Sequence, residues 1–554
     1  MSQTRHDVII MGGGLAGLSL ALQLRQRFAD IDVLVLERRA HPVPEAAHKV
    51  GESTVEIGAH YFDTVLGLGA HLRDKQLKKF GFRFFFSEGR RDIDQVTEVG
   101  ASRFLSTPAY QLDRGIFENF LGEEATRRGI RFVDQSLVRD VQLNSAAVSD
   151  RSRPVATSTT TVAPSSEGLH LVSWQQAGKT HTAQARWVID ASGRAGLLKR
   201  KLDLAVTNNH DVNAIWFRIQ DCIKLDDWSD RTDWQQRCDP QARWLSTNHL
   251  CGAGYWAWLI PLASGSHSVG IVADEKLHPL ETINTFDKAM RWFEKFQPRL
   301  FDALDGKRHL LQDFAFFRHF SYGCKQNFSA ERWALTGEAG LFLDPFYSPG
   351  SDFIAISNTY ICELIARDRA GQPLQAYTHL FEQLYQSFYE NTLTLYVDQY
   401  PLFGDPEVMP VKVIWDYAYY WGVLAQLYFQ NRLADLAALS RLRDELALCQ
   451  KLNKAVQELL RAWSPHSRGH NASVMHDHAA LPWFADLNRE LSIELDDAGF
   501  HTRIKKSTRQ LRALAYETLL RAREDAPHIE ATTLLALIGE PPIEFDAMLF
   551  AKVP

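Results

Sequence analysis

The sequence lacks the features of a secreted, membrane-spanning or nucleic-acid-binding chain. Its first residues, MSQTRHDVIIMGGG, show no cationic start, apolar stretch and cleavage site of a signal peptide, and no run reaches about 18 uninterrupted apolar residues. Lysine and arginine total 61 against 67 aspartates and glutamates, so the formal net charge is −6. A chain without a basic excess attracts a phosphate backbone weakly. We therefore expect no secretion, no membrane span and no nucleic-acid partner.

Cysteine is also scarce. The six cysteines form neither a metal-binding motif nor a dense disulfide framework, which fits reduced thiols and a cytoplasmic location. Four histidines, His466, His470, His476 and His478, lie in the segment SPHSRGHNASVMHDHAALP. This segment lacks an H-E-x-x-H arrangement or neighbouring cysteines that would fix a metal geometry. We predict no metal site here and interpret the segment as a polar loop between helices.

The N-terminal segment has the pattern of a nucleotide-binding turn. HDVIIMGGGLAGLSLALQLRQRF begins with the apolar run Val8 to Met11 and ends in a helical pattern of Leu and Ala. Gly12, Gly14 and Gly17 between them have G-x-G-x-x-G spacing. The first permits a tight turn, the second lets the backbone approach a pyrophosphate, and the third allows close packing of helix on strand. We predict a strand, a turn and a helix whose N-terminus holds a phosphate.

A carboxylate follows at the spacing that dinucleotide sites use. The apolar run DVLVLERR reaches Glu37, about 20 residues after Gly17, where an acid can accept hydrogen bonds from ribose hydroxyls. The combination of strand, glycine turn, helix and acid predicts dinucleotide binding. At this point of the chain, NAD and FAD are both compatible with the pattern.

Two later segments favour FAD. RWVIDASGRAG, residues 186–196, is an apolar strand ending in Asp-Ala-Ser-Gly, and RWALTGEAGLFLDPFYSPGSDF, residues 332–353, is another that runs into Gly-Glu-Ala-Gly. They resemble the second and third fingerprints of the FAD-binding fold shared by aromatic hydroxylases and their relatives. The resemblance implies cofactor contacts at Asp190, Gly193, Glu338 and Asp344, with Glu338 at a normally aspartate position. Arg114 in QLDRGIFENFL resembles a flavin-site residue of this fold, or is a solvated helix charge.

The predicted fold class is α/β: an FAD-binding Rossmann-type domain of the aromatic hydroxylase kind, with an inserted β-sheet substrate domain and a helical C-terminal region. Segments such as FGFRFFF alternate like sheet strands, whereas apolar residues after 376 recur at three- and four-residue spacing. Residues 145–168 are predicted to be an exposed, disordered hairpin loop without a catalytic role. The predicted boundaries are 1–80, 106–206 and 325–375 for FAD, 81–105 and 207–324 for the substrate sheet, and 376–554 for the helical region.

The segment YWAWLIP contains two tryptophans one residue apart. On a strand, Trp256 and Trp258 would face the same side as one aromatic wall, and Pro261 would end the strand. Taken alone, such a pair is ordinary core material. Within an FAD-binding fold, however, Trp256, Trp258, Ile260 and Pro261 match every fixed position of the W-x-W-x-I-P motif of flavin-dependent halogenases. The resemblance implies that the indoles lie between flavin and substrate and keep the two apart.

A second similarity to these halogenases concerns a lysine. VGESTVE, residues 50–56, resembles the Gly-Glu-Ser turn of the family, which assigns Ser53 to the cofactor, and a lysine follows in LKKFGFRF. Lys79 fits the K-x-G-x-x-F pattern of phenol and pyrrole halogenases, whereas Lys78 would point to the opposite face. The resemblance implies that Lys79 handles hypohalous acid, by hydrogen bonding or as a haloamine, because desolvation favours the neutral amine. The alternative is a pair of solvated lysines at a strand entrance.

The resemblance also implies a halide site in DPFYSPGSDF. The family holds halide on backbone amides of a Ser-Ser-Gly or Ser-Thr-Gly turn, and the turn here is Ser348-Pro349-Gly350. Because proline has no N–H, the expected donors are the amides of Gly350 and Ser351, beside Ser348. Tyr347 stands where free-tryptophan halogenases have a glutamate, which favours a phenol or pyrrole substrate.

Together these similarities predict an FAD-dependent halogenase of the tryptophan halogenase-like family, closer to its phenol and pyrrole branch. Such an enzyme takes reduced FAD from a separate flavin reductase and uses O₂ with chloride or bromide to halogenate a small aromatic substrate, free or on an acyl carrier protein. The resemblance covers roughly residues 5–360. Two alternatives stay open: a flavin-dependent aromatic monooxygenase, and a non-catalytic flavin-binding relative suggested by Pro349 and Glu338.

Overall fold

The computed structural model describes residues 4–45, 50–144 and 168–540, together with the backbone of a short strand at 552–553. Apart from Gly168, the loop predicted for residues 145–168 lies outside the described residues. Two large sheets and a set of helices make up the described chain. Their arrangement brings the fingerprint segments of the sequence to one cavity.

The first sheet is built on the N-terminal strand. Val8 to Met11 are fully buried, and their strand pairs in parallel with a neighbour on each side, as suits a Val- and Ile-rich strand covered on both faces. The strands ending at Leu36, Asp190 and Leu335 are those that the fingerprint segments predict. The seven described strands run in the order Arg131–Val133, Val33–Leu36, Thr4–Met11, Lys179–Asp190, His170–Gln176 and Leu137–Gln142, with Trp333–Leu335 alongside Lys179–Asp190.

The second sheet carries the aromatic segments. Tyr255–Pro261 is buried along its whole length between two antiparallel neighbours and ends at Pro261, as predicted. Two short strands from the C-terminal third extend this sheet. The sequence does not predict them, because a run of two or three residues is too short to leave an alternating pattern. The nine described strands run in the order Leu311–Phe317, Val212–Ile219, His267–Asp274, Tyr255–Pro261, Thr247–Gly252, Phe82–Phe85, Glu98–Gly100, Met475–Asp477 and Lys552–Val553.

Helices make up most of the rest, and the described chain after residue 376 is largely helical, as the apolar spacing predicts. Two π-helical turns interrupt them, at Tyr61–Val65 and Tyr420–Leu424. Two small strand pairs, Leu77–Lys78 with Tyr110–Gln111 and Ala205–Val206 with Gly323–Cys324, lie outside the large sheets. The described α-helices are Leu15–Arg27, Glu56–His60, Gly69–Lys75, Arg114–Arg127, Leu197–Lys201, Thr232–Gln235, Phe286–Phe296, Pro298–Asp305, Gly350–Arg369, Gln375–Leu393, Val408–Tyr419, Ala425–Phe429, Leu436–Arg441, Arg443–Trp463, Pro482–Arg489, Asp497–Asp525 and Thr532–Ile538.

A buried ion triad holds the second sheet near the Glu98–Gly100 strand. Glu98 lies between Arg83 and Arg243, and all three side chains are fully buried. Nη1 of Arg83 and Nε of Arg243 both donate to Oε1 of Glu98, the latter at 2.9 Å. Burial by itself would raise the pKa of Glu98, but the charges of Arg243 and Arg83 lower it. The negative charge of Glu98 and the positive charges of the two arginines therefore stabilise one another inside the sheet.

We expect Glu98→Gln to lower the free energy of unfolding by about 3–5 kcal/mol, because the two buried guanidinium groups lose the carboxylate that they share. Urea denaturation followed by circular dichroism measures the change. The control Glu281→Gln removes an exposed ion pair with Arg318 and should leave the denaturation midpoint close to that of wild type. Equal midpoints for Glu98→Gln and wild type would contradict the role given to the triad.

Candidate functional site

A cavity of about 720 Å³ collects the fingerprint segments of both sheets and the start of helix Gly350–Arg369. This volume is in the range of small-molecule and cofactor sites. Most of the residues predicted for the site line it, namely Gly12, Gly14, Glu37, Ser53, Arg114, Gly193, Trp256, Trp258, Ile260, Glu338, Asp344, Ser348, Gly350 and Ser351. Gly17, Lys79, Asp190 and Pro261 lie behind this lining.

The glycine turn fits a cofactor with a pyrophosphate group. Gly12 has a φ of +123°, and a Cβ atom there would lie 2.2 Å from the carbonyl oxygen of Ala191. A Cβ on Gly17 would lie 2.0 Å from the Gly12 oxygen, so this glycine permits close packing of helix on strand. A Cβ on Gly14, in contrast, would meet no atom within 4 Å. This open space adjoins the free N–H groups of the helix beginning at Leu15, where a phosphate binds favourably.

Two charged residues brace the cofactor side of the cavity. Oε2 of Glu37 accepts a hydrogen bond from the amide of Gly13 at 2.8 Å, so this carboxylate stabilises the glycine turn as well as lining the cavity. Arg114 donates to the carbonyl oxygen of Gly51 at 3.2 Å and forms an ion pair with Glu118 at 2.6 Å. Arg114 is therefore fixed in the wall, and the alternative of a solvated helix charge does not hold.

Asp190 acts on the turn that follows its strand. Its carboxylate accepts hydrogen bonds from the amide of Ser192 at 3.0 Å and from the amide of Leu198 at 2.7 Å, which leaves it behind the wall formed by residues 191–195. Glu338 does line the cavity, 3.9 Å from Nε of Arg194. In the second fingerprint, Asp190 therefore shapes the wall from behind, and the residues that follow Asp190 line the cavity.

The two tryptophans form another part of the lining. The ring centroids of Trp256 and Trp258 are 5.6 Å apart with 41° between the ring planes, and both side chains are buried. Nε1 of Trp258 donates to Oγ of Ser268 at 3.1 Å. Ile260 lines the cavity beside them, whereas Pro261 ends the strand outside it. The motif therefore presents two rings and one aliphatic side chain to the cavity.

A buried hydrogen-bond chain holds Trp256 in place. Its Nε1 donates to the hydroxyl of Tyr400 at 2.9 Å, and Tyr400 donates to Oδ2 of Asp344 at 2.5 Å. His210 contacts the same oxygen through Nε2 at 2.7 Å, and Oδ1 of Asp344 accepts from the amide of Phe346 at 2.9 Å. Asp344 thus connects Trp256 of the motif to the turn that follows Asp344 in the chain. Sequence reasoning missed Tyr400 and His210, since neither belongs to a motif.

Lys79 lies directly behind the cavity wall. Its Nζ donates to Oγ of Ser53 at 2.9 Å and to the carbonyl oxygen of Thr54 at 3.0 Å, and it lies 3.3 Å from the centroid of the Phe82 ring. Ser53, which lines the cavity, also shares a hydrogen bond with Oγ1 of Thr247 at 2.9 Å. Lys79 is 5% exposed and Lys78 is exposed, so the alternative of two solvated lysines does not hold for Lys79.

Burial controls the charge of the groups around this amine. It lowers the pKa of Lys79 well below its ordinary value, against the opposing charges of Glu56 and Asp352. Burial also raises the pKa of Glu56 and raises that of Asp352 to about 8. Asp352 accepts from the amide of Gly58 at 2.8 Å and from the hydroxyl of Tyr420 at 2.7 Å. Sequence reasoning passed over both carboxyls, although they lie in the motif segments VGESTVE and SPGSDF.

The turn predicted to hold halide begins a helix of 20 residues, Gly350–Arg369. Ser348 has a φ of +51°, and its amide donates to the carbonyl oxygen of Pro345 at 2.9 Å. The amides of Gly350 and Ser351 fall in the first turn, where N–H groups have no partner within the helix. Oγ of Ser351 is buried without a hydrogen-bond partner among the described residues. Gly350 and Ser351 line the cavity at this helix N-terminus, which suits an anion.

Tyr347, just before this turn, is tied to the helical region. Its hydroxyl donates to Oδ2 of Asp416 at 2.8 Å, and Asp416 pairs with Lys412 at 2.9 Å. Burial raises the pKa of Tyr347 well above its ordinary value, and the Asp416 charge raises it further. The phenol stays protonated near neutral pH, so Tyr347 does not replace the missing glutamate as a base.

Other expectations can be compared with the described residues. The six cysteines are free thiols. His476 and His478 lie buried on and next to the strand Met475–Asp477, so the interpretation of this segment as a polar loop is wrong for them. Among the residues that the structure describes, no group of three or more His, Cys, Asp or Glu could hold a metal ion. The same part of the chain contains no helix with the length and apolarity needed to cross a bilayer.

Comparison with known proteins gives consistent similarities. A family model described as tryptophan halogenase matches residues 90–402, and one described as an NAD(P)-binding Rossmann-like domain matches residues 10–74. A flavin-dependent halogenase of Dictyostelium discoideum is 26% identical over 442 residues, which are 76% of this chain and 70% of that protein. A chlorinase of Pseudomonas fluorescens that acts on pyrrole-2-carbonyl groups on a peptidyl carrier protein is 26% identical over 63% of this chain and 73% of its own.

Among solved structures, that of the halogenase PltM with phloroglucinol and FAD covers 93% of this chain and 96% of its own. Its TM-score is 0.61 and its sequence identity is 15%. At this identity the likeness concerns the fold, which is the α/β fold that the sequence predicts.

We expect Gly14→Val to fold normally but to bind FAD about tenfold more weakly or worse, because the branched side chain fills the space beside the helix N-terminus. Titration of the protein with FAD, followed by flavin fluorescence, measures this loss. Gly306→Val is the matched control: a Cβ on Gly306 also meets no atom within 4 Å, but it lies outside the cavity. Unchanged FAD affinity in Gly14→Val would contradict the assignment of the turn.

The raised pKa of Asp352 predicts a pH-dependent stability. The folded carboxyl keeps its proton up to about pH 8, whereas the unfolded one loses it near the ordinary value of 3.8. Because the folded state holds more protons in this window, the contribution of Asp352 to stability falls as pH rises. We expect Asp352→Asn to flatten the decline by up to about 1.4 kcal/mol per pH unit. Urea denaturation of wild type and variant across this window measures both slopes, and identical slopes would contradict the prediction.

Proposed function

The chain belongs to the tryptophan halogenase family, whose model matches more than half of it, and we propose that it halogenates a phenol or pyrrole through Lys79. The family establishes the class, a flavin-dependent halogenase with FAD as cofactor, and chloride or bromide is the co-substrate. The observation that carries the finer proposal is the position of Lys79. It is a desolvated amine, one hydrogen bond behind the wall of a cavity that contains both tryptophans of the motif.

The cofactor assignment uses the fingerprint segments. We assign the pyrophosphate to the turn at Gly14 and the N-terminus of helix Leu15–Arg27, and a ribose to Glu37. The open space at Gly14 supports this assignment. Bound FAD, once reduced, supplies the activation of O₂ on which halide oxidation depends. We further propose that a separate flavin reductase provides the reduced flavin.

We assign halide to the amides of Gly350 and Ser351. Both residues line the cavity, and the helix that they begin carries partial positive charge at this end. Pro349 contributes no donor, so the two amides of Gly350 and Ser351 are the donors that we propose. The loss of one amide from the motif is thus compatible with halide binding.

We propose that buried aromatic groups near Lys79 protect an oxidant from water. Trp256, Phe82 and Phe84 are buried aromatic side chains, and His249 stacks on Phe84 with ring centroids 4.6 Å apart. Burial lowers the pKa of His249 to about 3, so the imidazole is neutral. An uncharged, dry surrounding slows the hydrolysis that would consume hypohalous acid.

In its neutral form, Lys79 has two N–H groups and one lone pair. Because Ser53 and Thr54 accept from the amine, the lone pair is available to a hypohalous acid molecule. Lys79 then acts in one of two ways: it accepts a hydrogen bond from the acid, or it forms a haloamine. In the second case the N–X bond forms as the O–X bond breaks, and the displaced hydroxide leaves as water with a proton from the amine.

We propose that the aromatic substrate is a small phenol or pyrrole, free or bound to an acyl carrier protein. The carrier-bound form is suggested by the Pseudomonas chlorinase, which acts on a pyrrole group on a peptidyl carrier protein. Tyr347 in place of a glutamate argues against free tryptophan, since the protonated phenol is already committed to Asp416. The six free thiols agree with the cytoplasmic location that we propose.

The experiment compares Lys79→Met with wild type after reduction of the FAD-loaded protein and mixing with O₂ and bromide. We expect Lys79→Met to lose bromination of a phenol by roughly a hundredfold or more, because no other amine handles the oxidant. Bromination of the trap monochlorodimedone, which samples hypohalous acid after its release, should continue in the variant. Product formation is measured by mass spectrometry.

Lys78→Met is the matched control, because this neighbouring lysine is exposed and should be dispensable for both reactions. A wild-type protein that leaves the trap untouched in the presence of bromide would contradict the halogenation reaction itself. Equal phenol bromination by Lys79→Met and Lys78→Met would contradict only the role proposed for Lys79 and not the halogenation reaction.

A further inference from the structure

Two helices meet directly behind the proposed halide turn. Helix Glu56–His60 packs against the start of helix Gly350–Arg369, and a Cβ atom on Gly58 would lie 2.4 Å from Oγ and 2.7 Å from Cβ of Ser351. Side-chain atoms do not pack this closely, so the absence of a side chain on Gly58 is what lets Ser351 lie against this helix. Rotation of the serine hydroxyl would not make room for a methyl group, because Cβ of Ser351 would still be in the way.

Asp352, the next residue in the chain, adds hydrogen bonds to this contact. Its Oδ1 accepts from the amide of Gly58 at 2.8 Å, and its Oδ2 accepts from the hydroxyl of Tyr420 at 2.7 Å. The Tyr420 oxygen in turn accepts from the amide of Ile57 at 3.1 Å. Asp352 is 2% exposed, so these hydrogen bonds are shielded from water. The first turn of the long helix is therefore fixed to the short one by close packing and by hydrogen bonds.

The same contact fixes the halide turn relative to Lys79. Ser53 and Thr54, which accept hydrogen bonds from the Lys79 amine, lie just before helix Glu56–His60. The proposed halide turn begins the other helix of the contact. Groups that act on one reacting molecule in succession must be held at a suitable separation. The contact between the two helices supplies that separation for the halide turn and the amine.

Two buried carboxyls belong to this contact, and each would repel a nearby anion when ionised. Asp352 follows Ser351 in the chain, and Glu56 begins the helix that contains Gly58. Burial raises the pKa of Glu56 and raises that of Asp352 to about 8. Near neutral pH, Asp352 is therefore uncharged and does not oppose a halide. The other titratable groups that face Asp352 are Lys79, Tyr396, Tyr420 and Tyr428.

We propose that Gly58 and Asp352 are positioning residues of the halide site, which fix the amides of Gly350 and Ser351 and so determine which halide binds. This inference rests on the proposed function and deepens it, because the halide turn itself leaves chloride and bromide open. A methyl group on Gly58 would push Ser351 away from helix Glu56–His60 and toward the cavity that Ser351 lines. Bromide is larger than chloride, so bromide loses more affinity when this space narrows.

The test measures chloride binding to the oxidised, FAD-loaded protein from the line width of the ³⁵Cl NMR signal, and bromide binding by competition. We expect Gly58→Ala to bind bromide about tenfold more weakly or worse, with a smaller loss for chloride. Alanine favours a helix more than glycine does, so helix propensity does not explain such a loss. Gly69→Ala is the control: Gly69 begins another helix outside the cavity lining, and the atoms nearest to its added Cβ belong to the side chains of Asp63 and Arg73. It should leave both affinities unchanged.

A double variant separates positioning from a general loss of structure. Gly58→Ala/Ser351→Gly removes both atoms that the new methyl group would meet and keeps the backbone amide at position 351. We expect the double variant to bind bromide within about threefold of Ser351→Gly, so that the two substitutions are not additive. Circular dichroism establishes that each variant is folded, and the double variant decides the matter if Gly58→Ala is not.

The pH profile of bromide binding tests Asp352. In wild type the affinity should fall as the pH rises through about 8, because Asp352 loses its proton and its negative charge then repels the anion. Asp352→Asn keeps an oxygen for the Gly58 amide but cannot ionise, so its affinity should fall less over the same range.

Bromide affinity in Gly58→Ala equal to that of wild type, an equal loss in the double variant, or coinciding pH profiles for wild type and Asp352→Asn would overturn the proposal. Because binding is measured without turnover, failure of the proposed halogenation reaction would show separately, as wild type that binds bromide but leaves the trap untouched.

Discussion

Keeping the amine of Lys79 away from water is the constraint on which the site depends. Burial lowers the pKa of Lys79 well below its ordinary value, and the protein offsets part of the cost of burying this group with hydrogen-bond acceptors and one aromatic ring. Ser53 and Thr54 supply the acceptors, and Phe82 supplies the ring. Ser53 and Thr54 lie just before helix Glu56–His60, and Phe82 begins a strand of the second sheet, so the burial of one amine requires both segments to be correctly placed.

Buried hydrogen bonds tie the helices to this region at several points. Tyr400 joins Trp256 to Asp344, Tyr347 joins the proposed halide turn to Asp416, and Tyr420 joins Asp352 to the π-helical turn. In each case a phenol whose pKa is raised by burial donates to a carboxylate or receives an indole N–H. A protonated phenol donates its O–H to the carboxylate, so the direction of each of these hydrogen bonds is fixed. The helical region thereby positions motif residues that lie far away in sequence.

The sequence predicts the parts of the site that depend on local chemistry. The glycine turn, the tryptophan strand and the choice of Lys79 over Lys78 follow from steric and alternation rules that act within a few residues, and the structure has Lys79 buried and Lys78 exposed. Partners at long range leave no such pattern. Tyr400 lies 144 residues from Trp256, and the burial of His478 results from a strand of three residues that pairs with Glu98–Gly100. Part of a segment with a polar sequence is thus buried, because its short strand pairs with a strand that is distant in sequence.

The central claim is that the protein transfers halogen, and not oxygen, to the aromatic substrate. The most direct measurement supplies the reduced, FAD-loaded protein with ¹⁸O₂, bromide and resorcinol, and determines the mass of the aromatic product. The account predicts a bromine isotope doublet in a product without ¹⁸O, because the labelled oxygen leaves as water when the carbon–bromine bond forms. A hydroxylated product that carries ¹⁸O and no bromine would contradict it and would make the protein a monooxygenase.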